Sequence, residues 1–154
     1  MAAQLVAKVA FGLSVLVFGC AGHAADKSTP ADATAMVKKA AAYIRTNGSD
    51  KSFAEFTNPS GSFVKGDLYV MCYDMQGNNK CHGGNAKLVG KNLLEIRDIN
   101  GVYIVKGLID VAKGQGRGWV DYQWPNPLTK IVESKSTYVE RVSDNLLIGV
   151  GAYK

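Results

Sequence analysis

The side chains best suited to holding a small anion fall between Gly118 and Tyr138. Residues 119–124 alternate two sets, Trp119, Asp121 and Gln123 against Val120, Tyr122 and Trp124. Alternation in aromatic and β-branched types reads as a strand whose two sets face opposite ways. Pro125 and Pro127 stop it, because neither can donate to a ladder. Lys135 to Arg141 is a second alternating stretch. Two strands joined by a proline-bearing loop would set aromatic rings, an amide, hydroxyls and a lysine on one wall. Such a wall can pair an ammonium with a carboxylate and pack a short alkyl tail against rings. The same aromatic side chains would serve equally well as sheet core, and Lys135 as a solvated strand end.

His82 is one of two histidines, the other being His23 near the N-terminus. A zinc or copper site would lack a second imidazole, so no metal site is expected. Gly83-Gly84 reads as a turn; without a following lysine and Ser/Thr it is no phosphate cradle, and no cofactor is expected. Cys81 and His82 are adjacent on an expected strand and point to opposite faces, so they form no nucleophile–base pair. No Ser-His-Asp arrangement is evident either, and the chain reads as a binding protein, not an enzyme. Leu68 to Tyr73 alternates, Asp74 to Asn78 supplies turn residues, and Asn79 to His82 returns, a hairpin pattern. Setting Asp74 opposite Asn79 puts Cys72 opposite Cys81. Opposed cysteines in the non-hydrogen-bonded register can form a disulfide, and otherwise act as small buried hydrophobes.

These residues must be positioned by one domain, the default for 154 residues with 47% apolar and 20% charged content. The net charge of +5 is scattered, not clustered, so no nucleic-acid partner is expected. Lys8, the apolar run Val9 to Gly19 and the small residues up to Ala25 resemble a secretory signal, residues 1–24, cleaved after Ala24. Val17-Phe18-Gly19-Cys20 offers an alternative lipoprotein site with Cys20 acylated. Either way the product is expected to be exported, most simply to a periplasm. Asp32 to Thr46 carries Met36, Val37, Ala40, Tyr43 and Ile44 at helical spacing and stops at Asn47-Gly48. Ser52 to Phe56 offers a short second helix. Val102 to Ala112 reads as a connecting helix with Val102, Val105, Ile109 and Ala112 on one face. Asn145 to Ala152 closes the chain as a strand. The order gives an α+β domain, an antiparallel sheet with a long N-terminal helix and a connecting helix.

From about Phe63 to Tyr153 the chain resembles a single Cache domain, the PAS-like extracytoplasmic sensor module of bacterial chemoreceptors and histidine kinases, which implies a PAS-like antiparallel sheet. The segments that carry the resemblance, in the family's order, begin with Gly66-Asp67-Leu68-Tyr69-Val70-Met71-Cys72-Tyr73-Asp74 with Gly77. Cys81-His82-Gly83 and Leu88-Val89-Gly90-Lys91-Asn92-Leu93 follow. Then come Gly118 to Pro127, Lys135 with Tyr138-Val139, and Ile148 to Tyr153. The resemblance implies residues 25–62 as a helical segment and 63–154 as the sensor domain, with a pocket in the concave face of the sheet for a small organic acid. Tyr69, His82, Tyr122, Trp124, Lys135 and Tyr138 match pocket-side positions. Receptors continue into a membrane helix and an output region, whereas this sequence stops at Lys154. The expectation is therefore an exported binding domain that presents its ligand to a membrane receptor, histidine kinase or transporter. The alternative is a ligand-free regulatory subunit that works by docking.

Overall fold

The computed structural model describes residues 27–154; the expected signal segment and Cys20 lie outside the described residues. Helix α1 spans Pro30–Asn47. Its start is fixed by a capping box in which Thr29 and Asp32 satisfy each other's backbone N–H groups, with Pro30 in the first turn. Gly48, at φ 77°, turns the chain directly into α2, Ser49–Thr57. Strands β1 (Val64–Lys65), β2 (Leu68–Asp74) and β3 (Asn79–His82) follow. A single turn of 3₁₀-helix at Ala86–Leu88 and a long loop lead to α3, Ile104–Gly114. The chain ends in β4 (Arg117–Pro125), β5 (Val132–Ser143) and β6 (Leu146–Tyr153).

The strands form one six-stranded antiparallel sheet in the order β1-β2-β6-β5-β4, with β3 also paired to β2. The α+β order of elements is thus the one expected from the sequence. Strands β2 and β6 are buried at every position because helices cover both faces there. On one face α1 and α2 pack Val37, Ala40 and Phe56, with Phe63 from the segment before β1, against Val70, Ile148 and Val150. On the other, α3 sets Ile104, Val105, Leu108 and Ile109 against Met71, Tyr73, Tyr122, Val139 and Leu147. The Phe56 and Phe63 rings meet edge-to-face at 4.5 Å between centroids.

Two boundaries differ from the sequence expectation. The connecting helix begins at Ile104, not Val102. Asp98 accepts the backbone N–H groups of Asn100 and Val102, building a turn through Gly101 that leaves Val102 40% exposed. The helical face is consequently Ile104, Val105, Leu108, Ile109 and Ala112. In the first hairpin Cys72 does oppose Cys81, but Tyr73, not Asp74, opposes a residue at the turn, Asn79. A bulge between Cys72 and Tyr73 absorbs the extra residue, since the Asp74 carboxylate gathers the N–H groups of Gln76 and Asn78 into a tighter loop. Cys72 and Cys81 are joined by a disulfide.

Candidate functional site

Strand register decides which side chains share a wall, because directly opposed residues face the same way. Tyr122 opposes Lys135, which opposes Tyr153. Met71 opposes both His82 and Gly149, so Tyr69, Met71 and Tyr73 share the face of His82 and of Gly151 and Tyr153. The α3 face of the sheet therefore collects Tyr69, His82, Tyr122, Trp124 and Lys135 from four strands. Tyr138 does not join them. It stands three residues from Lys135 on the same strand, an odd spacing, and opposes Trp119 and Val150. Its ring lies 5.3 Å from that of Trp119 on the α1 face, within the core formed with α1 and α2. Its assignment to the pocket is corrected accordingly. The sequence reading passed over Tyr153, which the register sets beside Lys135; no local feature of a final strand residue marks it.

Lys135 is the electrostatic centre. The side chain is 1% exposed, and its ammonium makes no ion pair with any described residue. Nζ donates to the Tyr69 hydroxyl at 2.7 Å and to the Tyr153 hydroxyl at 3.4 Å. It also lies 3.9 Å from the Tyr69 ring centroid and 4.6 Å from that of Tyr153, so both rings add cation–π attraction. Burial pulls its pKa well below the usual lysine value, and the negative charge of Asp67 works in the opposite sense. The stem reaches this position across Gly151, where any Cβ would collide with Lys135 Cε and Thr137 Oγ1.

Around the ammonium stand hydrogen-bond donors. Tyr153 OH donates to the Pro125 carbonyl at 2.8 Å. Tyr69 is then the donor in its long 3.4 Å contact with Tyr153, a bond that a stronger acceptor would displace. His82 accepts the Asn85 backbone N–H at Nδ1, 2.9 Å away, so the neutral ring carries its proton on Nε2 as a donor. Burial, helped by the nearby Lys135 charge, lowers its pKa to about 3. Burial pushes the Tyr69 and Tyr122 hydroxyls upward, keeping both protonated. Tyr122 OH shares a 2.7 Å bond with Thr137 Oγ1, and the Trp124 ring stands edge-on to Tyr122 at 6.4 Å.

Tyr69, Met71, Tyr73, His82, Ile104, Tyr122 and Trp124 line a cavity of about 10 Å³, room for about one water. Tyr69, His82 and Trp124 also wall a wider cleft of about 230 Å³ bordered by Gly84, Asn85, Lys130 and the Pro125–Pro127 turn. The two spaces share these three side chains and so adjoin. No group of His, Cys, Asp or Glu suited to a metal ion occurs among the described residues.

Comparison with known proteins places this geometry in context. The family model described as Single Cache domain 2 matches residues 3–154. The sensor histidine kinase MctS of Rhizobium johnstonii is 32% identical over 88 residues, 56% of this chain and 19% of that protein. The methyl-accepting chemotaxis protein McpP of Pseudomonas putida is 30% identical over 88 residues, 56% of this chain and 16% of that protein. This chain thus spans less than a fifth of either relative. Among solved structures, a methyl-accepting chemotaxis protein from Vibrio parahaemolyticus superposes with a TM-score of 0.67 at 30% identity, covering 80% of this chain and 86% of that one. A Cache chemosensory domain described for carboxylic acid recognition superposes with a TM-score of 0.63 at 21% identity, covering 78% and 84%; at that identity the likeness is one of fold.

Proposed function

Since this chain belongs to the single Cache domain 2 family, we propose that it is a sensory domain binding a short monocarboxylate, held by Lys135 with Tyr69 and His82 as donors. The observation that carries this reading is the buried Lys135 ammonium, which makes no ion pair with any described residue and lies on the same sheet face as two protonated donors. A charge withdrawn from water is costly unless matched, and a ligand carboxylate would match it. The residues lining the cavity include no acid to receive an amino group and no cation, and Lys135 reaches that lining through the Tyr69 hydroxyl at 2.7 Å. Monocarboxylates are thereby favoured over amino acids and diacids. Ile104, Tyr122 and Trp124 would pack the alkyl end.

Sensing requires that the signal be carried onward. A receptor, histidine kinase or transporter outside the cytoplasmic membrane face is the partner class we infer from the kinds of protein this chain resembles. The narrowness of the cavity favours a second reading, a closed domain that works by docking alone. Thermal denaturation with millimolar C2–C4 carboxylates, amino acids and diacids separates the two. A ligand that binds only the folded state raises the melting temperature by mass action. A rise confined to monocarboxylates is expected; no rise with any compound would leave the docking reading in its place.

A further inference from the structure

His82 owes its place to a weak piece of sheet. Strand β3 has four residues, and its ladder to β2 is interrupted by the bulge, leaving Cys81 and His82 as the paired residues beyond it. Four residues is at the short end of the usual strand length. Further tethers are single hydrogen bonds: the His82 N–H to Thr57 Oγ1 at 3.3 Å, and the Gly83 N–H to the Val70 carbonyl at 2.9 Å. The covalent tie is the disulfide from Cys81, directly before His82, to Cys72 on the central strand. Both cysteines are fully buried on the α1 face, opposite the cavity, so their sulfurs touch no ligand there.

The same segment also positions Tyr69. A Cβ on Gly84 would lie 2.8 Å from the Tyr69 ring, and one on Gly83 would lie 3.0 Å from Tyr69 Cβ. The Tyr69 and His82 rings meet at 5.0 Å between centroids, tilted by 37°. Residues 81–84 therefore press on both donors of the cavity at once. We propose that the Cys72–Cys81 bond is a positioning element of the ligand site, holding residues 81–84 so that His82 Nε2 and Tyr69 OH converge beside Lys135. The inference rests on the carboxylate reading above and assigns a function to a bond on the far side of the sheet.

The test compares wild type, Cys72→Ala/Cys81→Ala, and wild type unfolded, reduced and refolded in dithiothreitol. Two readouts are taken: propionate affinity by calorimetry, and the titration of the His82 ring followed by NMR. The His82 signal is identified by its loss in His82→Gln. Loss of one well-placed donor to a carboxylate corresponds to about tenfold in Kd, the weakening expected without the disulfide. The His82 pKa is expected to climb from about 3 toward the ordinary value near 6.5 as the ring gains water. A variant that melts earlier yet keeps wild-type Kd and His82 titration would overturn the proposal and leave the bond a stabiliser only. If the double variant does not fold, the refolded reduced protein decides by the same two readouts. If wild type binds no propionate, the carboxylate reading fails for that ligand, while the His82 titration still decides whether the bond places the ring.

Discussion

The Lys135 ammonium accounts for much of the behaviour expected of this site. It is buried and makes no ion pair with any described residue, so replacing it by an apolar side chain of similar length removes a desolvation cost. Lys135→Met is expected to melt at or above the wild-type temperature, yet to bind propionate about 30-fold or more weakly. Unchanged affinity would take Lys135 out of the site. His82 governs acid stability. Its folded pKa of about 3 lies below the ordinary 6.5, so between those values the unfolded chain binds the extra proton. Stability should be complete above pH 6.5 and fall as the pH drops toward 3, by up to about 1.4 kcal/mol per unit. His82→Gln should flatten that part of the stability–pH curve, and a wild-type slope surviving in the variant would assign it to other groups. At this scale the sequence was informative but incomplete. Lys135, Tyr69, His82, Tyr122 and Trp124 were visible as types and alternations. Tyr138 was misplaced although counting from Lys135 gives the opposite parity, and Tyr153 depended on a register that only the β5–β6 pairing, itself shifted between Arg141 and Ser143, could supply.

Among the elements, β6 is the most constrained. Gly151 stands where the Lys135 stem crosses, and overpacking a filled site costs about 1–3 kcal/mol. Gly151→Ala should therefore lower stability within that range and weaken carboxylate binding by displacing the lysine. A variant losing stability alone would show that Lys135 finds its place by another path. Elements with long periodic patterns were legible: α1 through its alanine-rich stripe and capping residues, β4 through strict alternation. The two-residue β1 is too short for any periodicity, and α3 starts late because Asp98 competes for the backbone N–H groups ahead of it. The hairpin bulge was hidden for a related reason, since the loop geometry follows from how many N–H groups one Asp74 carboxylate can collect.

For the molecule as a whole, one sheet serves two unequal layers. Against α1 and α2 it is ordinary hydrophobic core around Phe56, where Phe56→Ala should cost about 3–5 kcal/mol without changing ligand preference. Against α3 the same sheet mixes hydrophobic packing with tyrosine, histidine and lysine. The alternation of strands made this division readable in outline, since β2, β5 and β6 each contribute to both layers. What the chain could not state was how far the cavity closes, because that depends on rotamers of Tyr69 and Trp124 set by neighbours distant in sequence.

The two tryptophans fall on opposite sides of that division. Trp124 lines the cavity, whereas Trp119 points to the α1 face and is 42% exposed. With Trp119 replaced by phenylalanine, the indole emission would come from the binding site alone. The domain would then report its occupant optically, with no dye attached and no partner present.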